Sequence, residues 1–276
     1  MPAAEKLKQM VYQTIEKMDA DNVAVAFSGG VDSSLLAKAC KDSGKTVTLL
    51  TVGFSSQSDI ELSDRVSKAL GLSFYSDQVS SEELENGLKN VLATITLDRL
   101  VRLENCTCFF YVFRMAMSRG LKTVVSANGM DELFCGYSAF KTRYGNEAAM
   151  KNLMDALVET AMRDKAEIDK VSALFKVKYL CPFLSEDFVE FAAKIPIEQK
   201  IRGADDNIRK YVLREAALLA GVPKEAALRT KKAFQYSSGI HKAIKTLAKT
   251  GGFTKSKARA AGFRNELEAY IKHLCP

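Results

Sequence analysis

The stretch Val23-Ala24-Val25-Ala26-Phe27-Ser28-Gly29-Gly30-Val31-Asp32-Ser33-Ser34 decides the fold class. Its first five residues are apolar and read as a short buried strand, which Ser28-Gly29-Gly30 breaks. A helix is predicted from Ser33 to Cys40. Two glycines allow backbone conformations closed to other residues, so successive N–H groups can turn round an anion. The helix start adds N–H donors and a favourable dipole, and Ser28, Ser33 and Ser34 add hydroxyls. This is not a Walker loop, because the Gly-Lys-Thr ending is missing. Nor is it the dinucleotide fingerprint, because no third glycine falls in place. Asp32 sharpens the reading. A carboxylate beside a phosphate nest is unfavourable unless a cation lies between them, and Mg²⁺ is the cation expected.

Outward from this stretch, helix and strand patterns alternate. Leu7, Val11, Ile15 and Met18 recur at helical spacing over 5–18, and Thr46 to Val52 is a second β-branched strand. A helix over 59–70 ends at Gly71, a strand follows near Phe74-Tyr75, and helices are predicted at 81–95 and 106–119. Leu121 to Val125 makes a further strand, broken at Ser126-Ala127-Asn128-Gly129. Such alternation implies an α/β fold with a doubly wound parallel sheet. In these sheets a ligand lies beyond the carboxyl ends of the strands, where strand order reverses, and both glycine breaks fall at strand carboxyl ends. From residue 131 onward the periodicity is helical and no further strand is predicted. Helices are expected over 145–175, 186–194, 207–220 and 239–272.

With 276 residues, 47% apolar, the chain can bury a full core, which excludes a mostly disordered protein. No apolar run approaches the ~20 residues of a membrane span. Ala4-Glu5-Lys6-Leu7-Lys8 is charged where a signal peptide would be apolar. A cytoplasmic protein with no membrane partner is expected. The net charge of +7 is unevenly spread: no Asp or Glu occurs from Arg229 to Arg264, while Lys231, Lys232, Lys242, Lys245 and Lys249 accumulate. That segment would attract phosphate, or stand as a solvated basic face. The six cysteines show no zinc-pair spacing and are expected to be reduced.

The string from Ser28 to Ser34 resembles the pyrophosphatase loop of the PP-loop ATP pyrophosphatase superfamily. Ser126-Ala127-Asn128-Gly129-Met130-Asp131-Glu132-Leu133-Phe134-Cys135-Gly136-Tyr137 resembles the asparagine synthetase motif Ser-Gly-Glu-Gly-x-Asp-Glu-Leu-Phe-Gly-Gly-Tyr. Pro182-Phe183-Leu184, Lys210-Tyr211-Val212-Leu213-Arg214 and Arg229-Thr230-Lys231-Lys232-Ala233-Phe234 are similar to three further segments of that family. The resemblance implies an adenine nucleotide α-hydrolase-like sheet and an ATP-dependent ligase that forms AMP and pyrophosphate. It implies a nucleotide-binding α/β region over 1–145 and a helical region over 146–276 that completes the active site, within one globule. By the same resemblance Ser28, Gly29, Gly30, Asp32, Ser33 and Ser34 cradle the pyrophosphate, and Val52 and Gly129 bind the nucleotide. Asp32 and Asp131 hold Mg²⁺, and Lys231 stabilises the leaving group. The glutamine-using synthetases begin with a catalytic cysteine where this chain has Pro2. Free ammonia, a separate glutaminase or another nucleophile is therefore expected.

Departures from the pattern gather on the acceptor side. The family's glutamate, thought to act on the attacking nitrogen, is Asn128, and an amide takes no proton at neutral pH. The arginine that could bind a substrate carboxylate aligns with Leu180, beside Cys181. Cys135 replaces a glycine, and Cys106 and Cys108 fall where the family contacts its substrate. The expected acceptor is a small molecule other than aspartate. A second reading keeps the adenylation and changes the nucleophile to sulfur. In it Cys106 or Cys108, with Cys135 and Cys181, would hold an iron–sulfur cluster or carry a persulfide. The acceptor would then be tRNA or a metabolite, served by a sulfur donor. A third reading is a nucleotide-binding module without catalysis, which the retained Asp32, Asp131 and Lys231 oppose.

Overall fold

The computed structural model describes residues 1–54, 59–230 and 238–275. Helix α1 (Ala3–Glu16) leads into strand β1 (Asn22–Ala26) and helix α2 (Val31–Asp42). Strand β2 (Thr46–Gly53), helix α3 (Ile60–Leu70) and strand β3 (Ser73–Gln78) complete two further turns of the same alternation. Helices α4 (Ser81–Leu92) and α5 (Leu100–Ser118) precede strand β4 (Thr123–Val125). Short helix α6 (Met130–Leu133), long helix α7 (Glu147–Ala173) and strand β5 (Lys178–Leu180) follow. Helices α8 (Glu186–Ala193), α9 (Tyr211–Leu219) and α10 (Lys224–Ala227) lead to three last helices, Ile240–Thr250, Lys255–Ala260 and Glu266–Leu274.

The five strands run in the order β3-β2-β1-β4-β5, and every pairing is parallel. Parallel strands must be joined by crossovers on a face of the sheet, so helices cover both sides. Strands β1, β2 and β4 are buried and largely apolar, while edge strand β3 is polar and mostly exposed. One core lies between β1, α1, α2 and α9, around Leu7, Val25, Leu35, Leu36 and Leu213. The other packs α4, α5 and the last helices against Leu50, Val52 and Val124. Each such fully buried aliphatic side chain contributes about 1.5–3 kcal/mol. Strand order reverses between β1 and β4, so the loops after Phe27 and after Val125 sit side by side at the switch point.

Three expectations are corrected. A fifth strand exists beyond residue 131: β5 pairs Lys178, Tyr179 and Leu180 with β4. Three residues are too few to show a period of two, and the preceding 27 residues of α7 dominate the pattern there. Helix α5 begins at Leu100, so Cys106 and Cys108 lie inside it rather than at its start. The single helix expected over 239–272 is three, parted by Gly251-Gly252 and Gly262, of which Gly252 and Gly262 have positive φ.

Candidate active site

The β1 break turns sharply at Gly29, whose φ is +67°, and a Cβ there would lie 3.1 Å from the Ser63 Cα on α3. Only glycine fits both the conformation and the approach. The turn is tied by Ser33 Oγ, which accepts from Ser28 N at 3.2 Å and lies 3.2 Å from Ser28 Oγ. Gly30 caps α2, Asp32 stands in its first turn, and Ser34 is buried with no hydrogen-bond partner for its hydroxyl. Asp131 occupies the matching place after β4, in the first turn of α6.

The two breaks meet. Lys210 Nζ donates to Asp32 Oδ2 at 2.7 Å and lies 2.6 Å from Asp131 Oδ1. The lysine side chain is fully buried, and each carboxylate is about a fifth exposed. Burial pulls the ammonium's pKa down, but Asp131 and Asp32 outweigh it, so the pKa stands above the ordinary lysine value. Gly136 makes room for this triad: a Cβ there would lie 2.0 Å from Asp131 Oδ1 and 2.7 Å from Lys210 Cε. Lys210 was quoted above only as part of a motif. Its role was hidden because its backbone is left-handed (φ 59°) and its burial comes from long-range packing.

Both loops line one pocket of about 290 Å³, with Ser28, Asp32 and Ser33 on one side and Asn128, Asp131 and Glu132 on the other. Its outer wall is α5 and α7. Leu157, Thr160, Ala161, Asp164 and Ile168 face it from α7 at helical spacing, opposite Arg99, Asn105 and Phe109. Arg99 donates to Asp164 at 2.5 Å, and Arg102 holds the other oxygen of Asp164 at 2.9 Å. Glu132 accepts from Tyr137 Oη at 2.6 Å and from Gly129 N at 3.1 Å. Burial, then the neighbouring Asp131, pushes the Glu132 carboxyl above its usual range.

The asparagine synthase family matches residues 6–168 and 145–269. The chain belongs to the asparagine synthase family. A Methanocaldococcus jannaschii protein named as a glutamine-hydrolyzing asparagine synthetase is 31% identical over 91% of this chain and 52% of its own length. Escherichia coli asparagine synthetase B is 25% identical over 78% of this chain and 41% of its own. The chain therefore spans about half the length, or less, of these relatives. A solved chain described as a tRNA methyltransferase subunit from M. jannaschii covers 74% of this chain and 91% of its own at 16% identity, with a TM-score of 0.37.

Within the asparagine synthase fold, the residues expected to bind nucleotide do not all face the pocket. Val52 is buried in the core against α4 and α5, and its side chain does not line it. Gly129 approaches Phe183 instead: with φ +104°, a Cβ there would lie 2.8 Å from the Phe183 carbonyl oxygen. Asn128 lines the pocket and donates through Nδ2 to Tyr179 Oη at 3.1 Å. Lys231 lies outside the described residues. Mg²⁺ fits the donor set. Asp32 Oδ1 is buried without a hydrogen-bond partner, and Asp131 supplies a second carboxylate beside it. Mg²⁺ is commonly held by one or two carboxylates, its other ligands being phosphate oxygens and water.

The cysteine constellation is corrected. Among the described residues no three Cys, His, Asp or Glu side chains group to hold a metal, so an iron–sulfur site at Cys106, Cys108, Cys135 and Cys181 has no basis. Cys106, Cys108 and Cys181 pack in the large core beside α4, whereas Cys135 belongs to a separate cluster with Phe140 and Met150. Burial pushes the Cys106 thiol up to about 12 and those of Cys135 and Cys181 to about 11, with Cys108 raised further. Thiols so held are protonated at neutral pH, which disfavours a persulfide carrier.

Proposed function

We propose that this chain is an ATP-dependent, AMP- and pyrophosphate-forming ligase of the asparagine synthetase type, acting on a small carboxylic acid other than aspartate. A carboxylate oxygen of the acceptor attacks the α-phosphorus, and the bond to pyrophosphate breaks. A nitrogen nucleophile then attacks the acyl carbon, the carbon–oxygen bond to AMP breaks, and the nitrogen loses a proton. The nitrogen is ammonia, free or delivered by a separate glutaminase. Ser28 and Ser33 offer hydroxyls, and the start of α2 offers N–H donors, to the pyrophosphate. Mg²⁺ held by Asp32 and Asp131 would neutralise the phosphate oxygens. Lys210 keeps the two carboxylates together, and Lys231 contributes a second cation. Chemistry that requires Asp32 and Asp131 to act on one diphosphate is supported by a single observation: both already share one cation at the switch point. The absence of the family's glutamate at Asn128, and of its arginine at Leu180, supports a different acceptor.

The test is product analysis with ATP, Mg²⁺, ammonia or glutamine, and a panel of carboxylic acids that includes aspartate. AMP and pyrophosphate in equal amounts, dependent on one acceptor, is the expected result. ADP and phosphate would remove the reading, and asparagine formation would remove the part that concerns the acceptor.

A further inference from the structure

Across the pocket from the two loops stands the wall made by α5 and α7, and its apolar residues fall on one face of each helix. Val101 and Phe109 line the pocket from α5, and Leu157, Ala161 and Ile168 from α7. Between the first two, at the spacing of one further turn, lies Asn105. Among the described residues its side-chain amide has no hydrogen-bond partner.

The charges on this wall are already matched. Arg99 donates to Asp164 Oδ2 at 2.5 Å and Arg102 to Asp164 Oδ1 at 2.9 Å, so both oxygens of Asp164 are taken. Asp98 Oδ2 closes the group, 3.3 Å from Arg99 and 2.9 Å from Arg102. Arg102 also donates to the Thr96 carbonyl at 3.2 Å. Two arginines and two aspartates thus form a ring without net charge. On the loop side, Glu132 places one oxygen on Tyr137 Oη and the other on Gly129 N, while Lys210 holds Asp32 and Asp131.

A second charge on the acceptor would leave water for this wall and meet no open counter-charge, which is unfavourable. An apolar body would instead be sheltered by five apolar residues. The Asn105 amide, donor and acceptor at once, suits one neutral polar group. We propose that the acceptor is a monocarboxylic acid with an uncharged, mainly apolar body that lies between α5 and α7, its carboxylate turned to the two loops. This rests on the ligase reading above and deepens it by naming the class of acid. The step at the carboxylate is unchanged: its oxygen bonds to the α-phosphorus as the bond to pyrophosphate breaks.

The test is acceptor-dependent exchange of labelled pyrophosphate into ATP, with Mg²⁺ and three acids of one length: hexanoate, adipate and 6-aminohexanoate. They differ in whether the far end is neutral, anionic or cationic. The wild type should show a kcat/KM for hexanoate at least about tenfold above that for either charged acid. Asn105→Asp is nearly isosteric, is checked for native thermal unfolding, and adds a charge to the wall. It should lower the hexanoate value about tenfold and turn the preference toward 6-aminohexanoate, with little change in the KM for ATP. Adipate or 6-aminohexanoate used as well as hexanoate by the wild type would overturn the assignment and leave the ligase reading intact. So would a folded variant whose preference is unmoved, and a variant in which only the KM for ATP rises would put the nucleotide on this wall instead. Exchange with none of the three acids, in a chain that product analysis shows to form AMP and pyrophosphate, overturns the assignment alone. A chain that forms neither product with any acid overturns both.

Discussion

Asp32 and Asp131, from opposite sides of the strand-order reversal, grip the same Lys210 ammonium at 2.7 and 2.6 Å. The first comes from the break after β1 and the second from the break after β4. Two helix starts bring two carboxylates together, where they would repel each other, and a fully buried lysine from the turn before α9 compensates them. With Lys210 the group carries one net negative charge; a divalent cation would reverse that sign and suit a diphosphate.

Removal of Lys210 should therefore damage both stability and catalysis. Lys210→Met leaves two close carboxylates uncompensated, a loss on the order of 3 kcal/mol, the low end for a broken buried pair because both acids touch solvent. Urea unfolding reads that loss, and pyrophosphate release should fall at least a hundredfold. The pH dependence has a definite sign. Because the folded pKa lies above the ordinary 10.5, the stabilisation is complete below 10.5 and disappears as pH rises through the folded value. The wild type should lose an increment of stability there that Lys210→Met does not.

Lys200 makes the opposite prediction. Burial lowers its pKa from 10.5 to about 8, with Cys135 opposing weakly. Between those values the unfolded chain binds more protons than the folded one, so stability rises with pH across the window. Below about 8 the charged form costs about 3 kcal/mol by the shift, against roughly 1 kcal/mol for its hydrogen bond to Ala192. Lys200→Met is expected to be about 2 kcal/mol more stable at pH 7. That advantage should vanish near pH 10.5, as denaturant midpoints at several pH values would show.

Most of the site's frame is legible in local sequence, because a strand, a glycine break and a helix start within a dozen residues need no distant partner to be recognised. The pairing of the two breaks follows from α/β alternation alone. What escaped is long-range. Strand β5 is three residues paired to an edge, and the bridging role of Lys210 depends on the left-handed pair Arg209-Lys210, fixed by Asp206 and Arg214. The cysteines misled for a geometric reason. Cys106, Cys108 and Cys181 are all buried in the core around α4 and α5. Cys135 ends up in a separate core cluster.

Thiol labelling follows from that burial. Five cysteines are buried and only Cys275 is partly exposed. Thiolate is the reactive species, so native protein at pH 7.5 should take up one equivalent of iodoacetamide, at Cys275, and six after unfolding. Mass spectrometry counts the adducts. Rapid native labelling at Cys135 or Cys181 would contradict the arrangement. Anaerobically purified protein should be colourless, and Cys181→Ser should keep its activity.

Gly136 offers the sharpest separation of site from fold. A methyl group there would meet Asp131 Oδ1 at 2.0 Å and Lys210 Cε at 2.7 Å, distances no side chain tolerates. The backbone of Gly136 has ordinary φ, so alanine adds no conformational strain of its own. The clash must be relieved by moving Asp131 or the lysine stem, and either motion opens the shared ion pair. Gly136→Ala should consequently fold, with a moderate loss of about 1–3 kcal/mol as for an overpacked core. Its Mg²⁺-dependent pyrophosphate release should fall by two orders of magnitude or more. Retention of full activity would mean that the Asp131–Lys210 contact has no part in the reaction, since the atoms nearest that methyl group belong to Asp131 and Lys210.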